Sequence, residues 1–138
     1  MTLKVQPVPT EFVVQAWPRV EKYFKSAEEK AEVAEYTAEH IKVYLATGQW
    51  LLLVAVDENS DIHGAAAVNF INYPNDRVAF ITAIGGRLIA NQETFVQLKL
   101  ILKANGATKI QGAARESVAR LWKRFGFEDR AILVQSNI

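Results

Sequence analysis

Basic residues concentrate in the last third of the chain, where clustered positive charge could bind phosphate groups. From residue 99 to residue 130 the sequence has eight basic and three acidic residues. The basic ones are Lys99, Lys103, Lys109, Arg115, Arg120, Lys123, Arg124 and Arg130. Such a cluster can hold the phosphates of a small ligand or a nucleic-acid backbone. A solvated helix face explains Arg120, Lys123 and Arg124 more simply, because these residues lie opposite a predicted apolar stripe.

The available residue types exclude several kinds of catalytic chemistry. Cysteine is absent, which excludes a disulfide framework, a thiol nucleophile and zinc sites built on thiolates. His40 and His63 are the two histidines, so we expect no ordinary protein metal site. A formal net charge of +1 produces no overall field that would attract nucleic acid or a membrane surface. A nucleic-acid-binding role would therefore depend on the basic cluster alone.

Length and composition favour one globular domain over residues 1–138. Apolar residues make up 50% and charged residues 22% of the 138 residues, which excludes a disordered chain. The longest strongly apolar run, Trp50–Val56, is far shorter than the roughly 18 residues of a membrane span. Lys4, Glu11 and Arg19 interrupt any apolar region near the start, so we expect no signal peptide.

Apolar periodicity predicts an α/β domain that begins and ends with a strand. The predicted strands cover residues 3–7, 50–56, 62–73, 78–84, 108–113 and 131–134. Thr10 is predicted to cap a helical turn, and Pro18 to lie in the first turn of the helix that follows. Further helices are predicted over residues 26–35, from the cap Thr37 to Gly48, from the cap Asn91 to Ala104, and from the cap Ser117 to Gly126. Three consecutive strands joined by tight turns form an antiparallel meander. Helices on both faces of the sheet would bury the apolar stripes.

This element order resembles the fold of the GCN5-related N-acetyltransferases (GNAT). The last predicted helix is similar to the family's final motif, A-x-x-L-Y-x-x-x-G-F followed by a strand. The matching residues are Ala119, Leu121, Trp122, Gly126 and Phe127. The resemblance implies a GNAT-like domain with a mixed, mostly antiparallel sheet and helices on both faces.

Three segments resemble a narrower group, the small acetyltransferase-like proteins of tailed bacteriophages. They are Trp17-Pro18-Arg19-Val20-Glu21, the apolar strand after Gly48-Gln49, and Ile84-Gly85-Gly86. Proteins of this group tend to be encoded beside virion genes. The resemblance implies a role in the virion, which composition alone does not indicate.

The resemblance also places a coenzyme A site between the third strand of the meander and the next helix. Ile84, Gly85, Gly86 and Arg87 occupy that position and are the candidate residues for binding acetyl-CoA. They depart from the family pattern Q/R-x-x-G-x-G/A, because the two glycines are adjacent and precede the arginine. Residues 88–90, Leu-Ile-Ala, stand where small residues would admit the phosphates. A strand-to-helix turn that needs glycine explains this segment more simply than an intact phosphate site.

The proton-transfer groups that the family uses are also incomplete. Trp122 stands where the family has a tyrosine that protonates the leaving thiolate, and an indole N–H has no useful acidity. Trp122 also completes an apolar stripe, so we expect it in the core. The predicted strand 78–84 carries no carboxylate to act as general base, and the flanking Asp76 and Glu93 are expected to be solvated. We expect His63 to be exposed and His40 to be structural.

These observations predict a GNAT-fold phage protein with a degenerate catalytic site that acts as a virion-associated structural or interaction module. The alternative is an active N-acyltransferase that moves an acetyl group from acetyl-CoA to an amine; only this alternative requires acetyl-CoA. We expect the partners to be virion proteins or further copies of the chain, with no membrane and no nucleic acid. The candidate interface residues are Trp17, Tyr23, Arg120, Lys123 and Arg124. The expected location is the virion and host cytoplasm, or simply the cytoplasm if the protein is not from a phage.

Overall fold

The computed structural model describes residues 2–31 and 35–138, which form one sheet with helices packed against it. The strands in this part of the chain are β1 (Lys4–Val8), β2 (Leu51–Val56), β3 (Ile62–Asn72), β4 (Arg77–Gly86) and β5 (Lys109–Gly112). The helices are α1 (Val13–Lys30), α2 (Ala38–Ala46), α3 (Gln92–Ala104) and α4 (Glu116–Lys123), with a 3-10 turn at Thr10–Phe12 before α1.

The strands lie in the order β1-β2-β3-β4-β5. Neighbouring strands from β1 to β4 run antiparallel, and β5 runs parallel to β4. The parallel pair requires a crossover, which α3 supplies. The predicted α/β class with a mixed, mostly antiparallel sheet is therefore confirmed.

The two faces of the sheet support two separate cores. One core contains buried side chains of α1 and α2, including Trp17, Phe24 and Leu45, packed on the sheet. The other core joins α3 and α4 to the opposite face through Phe95 and Trp122, among others. Because the central strands are covered on both faces, β2 is apolar along its whole length rather than alternating.

Two predicted helix caps are present with reciprocal side-chain bonds. Thr37 Oγ1 accepts from His40 N and His40 Nδ1 accepts from Thr37 N, both at 3.2 Å, so His40 has the structural role that we expected. Asn91 Oδ1 accepts from Thr94 N at 2.9 Å, and Thr94 Oγ1 accepts from Asn91 N at 3.3 Å. Each cap satisfies backbone groups that a helix leaves without internal partners.

The starts of three predicted helical segments differ from the structure. Pro18 lies inside α1 rather than in its first turn, since α1 begins at Val13. Proline there removes one backbone hydrogen bond, and burial of the apolar stripe around Trp17 compensates for that loss. Thr10 is the first residue of the 3-10 turn and does not cap it, and Arg115 rather than Ser117 precedes α4.

The predicted helix over residues 26–35 is only partly present. The helix α1 ends at Lys30, and Ala31 has an extended backbone. Residues 32–34 lie outside the described residues, and Glu35 is not helical. In α3, the apolar residues Val96 and Leu100 are exposed, so the core covers only one side of this helix.

The predicted last strand, Ala131–Val134, is absent from the structure. Residues 128–138 have no regular secondary structure and every one of them is exposed. Local β-propensity is satisfied only when a partner strand supplies backbone hydrogen bonds, and here the segment pairs with no strand of the described chain. No helix in residues 2–31 and 35–138 has the length and apolar composition needed to cross a membrane.

Asp57 holds the hairpin between β2 and β3 together. Its Oδ1 accepts from the backbone N–H of Asn59 at 2.8 Å and of Asp61 at 3.0 Å. Its Oδ2 lies 2.7 Å from His63 Nε2. The bond to His63, followed by the backbone bonds, lowers the pKa of Asp57 below its ordinary 3.8, although burial raises it. The expectation that His63 is an exposed turn residue is wrong, because this pair keeps its ring half-buried.

The depressed pKa of Asp57 predicts a pH-dependent stability. Its carboxylate stabilises the fold above pH 3.8, and that contribution is lost as the pH falls through the lower native pKa. We expect Asp57→Asn to lower the melting temperature at neutral pH, by an amount that shrinks in acid. Asp61→Asn is the matched control, because the Asp61 side chain makes no hydrogen bond among the described residues. If the difference in melting temperature between wild type and Asp57→Asn stayed constant with pH, that result would contradict this role.

Candidate functional site

The sheet opens between β4 and β5, and this opening is the candidate site. The two strands pair only from Val78 and Lys109 to Ile81 and Gly112. Beyond Ile81, β4 continues to Gly86 and pairs with β3 alone. Within the described chain, the other side of this part of β4 therefore has backbone groups with no partner strand, which an extended ligand could use.

A β-bulge shapes β4 where the opening begins. Val68 pairs with Ile81 and Ala67 pairs with Ala83, so Thr82 is an extra residue on β4. A bulge interrupts the alternation of side chains. As a result, the neighbouring side chains Thr82 and Ala83 both line the same cleft beneath α1.

This cleft combines two carboxylates with a hydroxyl group. Glu28 at the end of α1 and Glu35 before α2 line it together with Tyr36 and Thr82. Carboxylates beside a hydroxyl suit a cationic group such as a protonated amine. The cavity volume is about 40 Å³, which is enough to hold water.

Three aromatic rings form one wall beside the cleft. Tyr36 lies edge-on to Tyr44 at 5.8 Å and to Trp50 at 4.9 Å between ring centroids. Tyr44 and Trp50 stack at 4.3 Å. These contacts attach the segment before α2 to the start of β2, so the position of Tyr36 is determined by the core.

The two predicted cofactor glycines lie within β4, opposite β3, and not in a loop. Gly85 pairs with Ala65 and Gly86 pairs with Gly64. A Cβ at Gly85 would lie 2.6 Å from the carbonyl oxygen of Tyr23 on α1. Gly86 has φ +69° and faces the carbonyl oxygen of His63. These glycines allow close backbone packing. The strand β4 ends at Gly86, as predicted, but both glycines belong to the strand, so the prediction that they form a turn after it is wrong. The candidate Ile84 packs partly buried against the core on the α3 face.

The connection from β4 to α3 uses many of its own donors. Arg87, the fourth predicted cofactor residue, is exposed, and its N–H donates to His63 O at 2.8 Å. The N–H groups of Ala90 and Asn91 donate to Thr94 Oγ1 at 3.1 and 3.3 Å. The side chains of Leu88 and Ile89 are buried in the core. This connection therefore fills space beside the sheet and leaves few donors for a phosphate.

Trp122 lies at the other side of the opening. Its side chain is 6% exposed, and its ring centroid is 5.1 Å from that of Phe127. A Cβ at Gly112, the last residue of β5, would lie 3.1 Å from Trp122 Cζ3. The indole therefore packs directly on the end of β5, in the core position that its apolar stripe predicted.

The candidate interface residues have different environments. Trp17 is 3% exposed and stacks on Phe24 at 5.6 Å, so it has no surface to offer a partner and that prediction is wrong. Tyr23 is half-buried, and its hydroxyl donates to Ile62 O at 2.9 Å.

The basic face of α4 is open to solvent, as the sequence indicated. Arg120 and Lys123 form ion pairs with Glu116 at 3.6 Å and with Asp129 at 3.0 Å. Arg124 is exposed beside them.

Asp76 and Glu93, the carboxylates on either side of the predicted strand 78–84, do not line the cleft. Asp76 lies 3.1 Å from Lys109 Nζ, and this bond, with a second from Thr108, lowers the pKa of Asp76. It therefore ties β4 to β5 at the closed end of the pair. Glu93 is exposed in the first turn of α3.

Comparison with solved structures identifies the architecture. An aminoglycoside acetyltransferase from an uncultured soil metagenomic sample, in complex with trehalose, matches with TM-score 0.69 and 12% identity, over 99% of this chain and 96% of the other. A predicted acetyltransferase with acetyl-CoA from Clostridium acetobutylicum matches with TM-score 0.64 and 16% identity, over 99% and 96%. A second soil metagenomic aminoglycoside acetyltransferase matches with TM-score 0.67 and 17% identity, over 100% and 99%.

The chain therefore has the fold of the GNAT-type acetyltransferases. These identities are low, and the likeness shows the fold alone. No protein-family model matches the sequence, and no curated protein matches it. The resemblance to phage proteins stays a prediction.

Sequence reasoning missed the residues that line the cleft. Glu28 and Glu35 were assigned to the predicted helix over residues 26–35, and Thr82 to an ordinary strand. No local pattern marks a bulge, because it arises from the register between β3 and β4. One signal could have identified Glu28. It lies four residues after the buried Phe24, so both residues are on the same side of the helix and Glu28 faces the sheet.

The packing of Trp122 predicts a large loss of stability when it is removed. We expect Trp122→Ala to lower the free energy of unfolding by about 3–5 kcal/mol, since it leaves a cavity between α4, β5 and Phe127. Leu121→Ala is the matched control: Leu121 is 40% exposed, and we expect a loss below about 1 kcal/mol. Denaturant titration measures both values. Equal losses would show that the indole is no more important to packing than its exposed neighbour.

Proposed function

We propose that this protein keeps the GNAT fold with a degenerate acyltransferase site, and that it acts as a structural or interaction subunit of a tailed-phage virion. The observation that carries the loss of catalysis is the packing of Trp122 on Gly112 at the opening between β4 and β5. An indole there fills space at the opening and provides no acid for a leaving thiolate.

The connection between β4 and α3 supports the same conclusion. A pyrophosphate binds where free backbone N–H groups converge at a helix N-terminus. Here the N–H groups of Arg87, Ala90, Asn91 and Thr94 all have acceptors within the chain. The carboxylate of Glu93 in the first turn of α3 adds a negative charge that would repel phosphate.

The virion role is supported by the three phage-like segments and by surface chemistry. The basic face of Arg120, Lys123 and Arg124 is exposed. Residues 11–39 have four basic and seven acidic residues, which gives this part of the chain the opposite charge. Opposed charges on two surfaces favour contacts between protein subunits.

An active N-acyltransferase is the second candidate function. It is favoured by the full-length fold match to acetyltransferases, one of them solved with acetyl-CoA. The acidic cleft beside Thr82 suits an amine acceptor. In that case Glu28 and Glu35 would hold the amine, and the opening beside β4 would have to accommodate acetyl-CoA.

Thermal stability in the presence of acetyl-CoA separates the two candidates. A competent site would add about 2.7 kcal/mol at a ligand concentration one hundred times its Kd, which corresponds to a shift of several degrees. For the degenerate site we expect a shift of less than about 1 °C at millimolar acetyl-CoA. A rise of several degrees would contradict the degenerate site.

Acyl transfer itself provides the second measurement. We expect no release of the coenzyme thiol with a panel of primary amines. If thiol release is observed, Glu28→Gln should reduce it, whereas Glu29→Gln should not, because Glu29 does not line the cleft. That pattern would establish the enzyme and overturn the degenerate site.

The virion role is tested separately from catalysis. We expect mass spectrometry of purified particles, produced by a phage that encodes this chain, to detect the chain in a constant ratio to capsid protein. Its absence from washed particles would contradict the virion role.

A further inference from the structure

The outer side of α3 carries a stripe of exposed residues opposite its buried side. The stripe consists of Glu93, Val96, Leu100 and Lys103, and all four residues are exposed. Their spacing of three, four and three residues along the chain places them on one narrow line of the helix surface. The a and d positions of a coiled coil have the same spacing. We name these four residues the α3 seam.

The middle of the α3 seam is apolar. Val96 and Leu100 are four residues apart, so their side chains are neighbours on the helix surface. The fold leaves 44% of Val96 and 62% of Leu100 exposed. Adjacent large apolar side chains with a charged residue at each end resemble the centre and the rim of a protein contact. The seam therefore has the composition of a surface that packs against a partner.

Hydrogen bonds hold α3 in a fixed orientation, so the α3 seam is preformed. Gln97 Oε1 accepts from Val5 N at 2.7 Å, and Gln97 Nε2 donates to Leu3 O at 3.2 Å. These two bonds fasten the middle of α3 to β1. In the last turn, Asn105 Nδ2 donates to Ile101 O at 2.9 Å. A preformed surface loses little conformational freedom when it binds a partner.

Opposite charges stand at the two ends of the α3 seam. Glu93 lies in the first turn of α3 and Lys103 in its last turn, and neither forms an ion pair within the described chain. If two copies of α3 pack in opposite directions, Glu93 of each copy lies beside Lys103 of the other. The same arrangement places Val96 beside Leu100. A parallel pair would bring like charges together, so charge selects the antiparallel arrangement.

We propose that two copies of this chain associate through the α3 seam as an antiparallel helix pair. The seam is complementary to itself, which is what a closed two-fold dimer requires. The helix α3 has 13 residues and is about 20 Å long. Its contact area is therefore at the small end for a specific interface, and the dimer is weak. The contact depends neither on acyl transfer nor on a place in a virion.

Charge exchange between separate copies tests this contact. In sedimentation equilibrium we expect wild-type protein to form dimers in a concentration-dependent manner. Glu93→Lys and Lys103→Glu should each raise the dimer Kd by about tenfold or more, because both ion pairs of the dimer become repulsive. A mixture of the two variants should dimerise as well as wild type, since each contact between unlike copies then joins opposite charges. Lys22→Glu, the same charge change on α1, is the control and should leave the Kd unchanged.

Three outcomes of that experiment would overturn the proposal. The first is a wild-type protein that stays monomeric at the highest concentration it reaches in solution. The second is a pair of variants that each dimerise as strongly as wild type. The third is a mixture of the two variants that stays monomeric while each variant remains folded by circular dichroism.

Cysteine cross-linking determines the direction of the helix pair. The sequence has no cysteine, so Glu93→Cys and Lys103→Cys in separate chains introduce one cysteine each. Packed helix axes are about 8–10 Å apart, which brings facing Cα atoms within disulfide range. We expect oxidation of the mixture to give a covalent dimer and each variant alone to give little, because identical positions are about 15 Å apart along antiparallel helices. A covalent dimer from Glu93→Cys alone, or none from the mixture, would overturn the proposal.

Discussion

Close backbone contact at three glycines of β3 and β4 determines the geometry of the whole site. A Cβ at Gly64 would lie 2.6 Å from Leu88 N, and one at Gly85 would lie 2.6 Å from Tyr23 O. Gly86 makes the same kind of contact with His63. Because these positions have no side chain, α1 and the connection to α3 both lie directly on the sheet. The cleft under α1 and the buried position of Leu88 follow from that contact.

The same packing leaves little room for a ligand. On one side of the opening, the connection after β4 buries the side chains of Leu88 and Ile89, and three of its own N–H groups have acceptors within the chain. On the other side, Trp122 packs against Gly112. The acidic cleft that contains Glu28 lies next to the bulge at Thr82 but has a volume of only about 40 Å³. Under the proposed function, the chain keeps the fold of the GNAT-type acetyltransferases while these side chains occupy the space beside the opening.

Local signals predicted the parts of the fold that local chemistry determines. The caps Thr37 and Asn91 and the core position of Trp122 are confirmed, because capping and apolar periodicity act within a few residues. The bulge at Thr82 was not predictable, since it depends on register between strands. Gly85 was predicted to lie in a turn. Glycine is favoured in turns, in phosphate sites and where a helix packs closely on a strand, so its presence does not distinguish these three roles. The strand at residues 131–134 was predicted from propensity, and its formation needs a partner edge that propensity does not specify.

The central claim is that Trp122 fills the opening between β4 and β5 and keeps acetyl-CoA out. The most direct measurement follows the indole N–H signals of the three tryptophans and the amide of Gly112 by NMR during a titration with acetyl-CoA. Our account predicts that the Trp122 and Gly112 signals stay unchanged up to millimolar ligand. Saturable shifts of both signals would show that the coenzyme enters the opening, and would contradict the account.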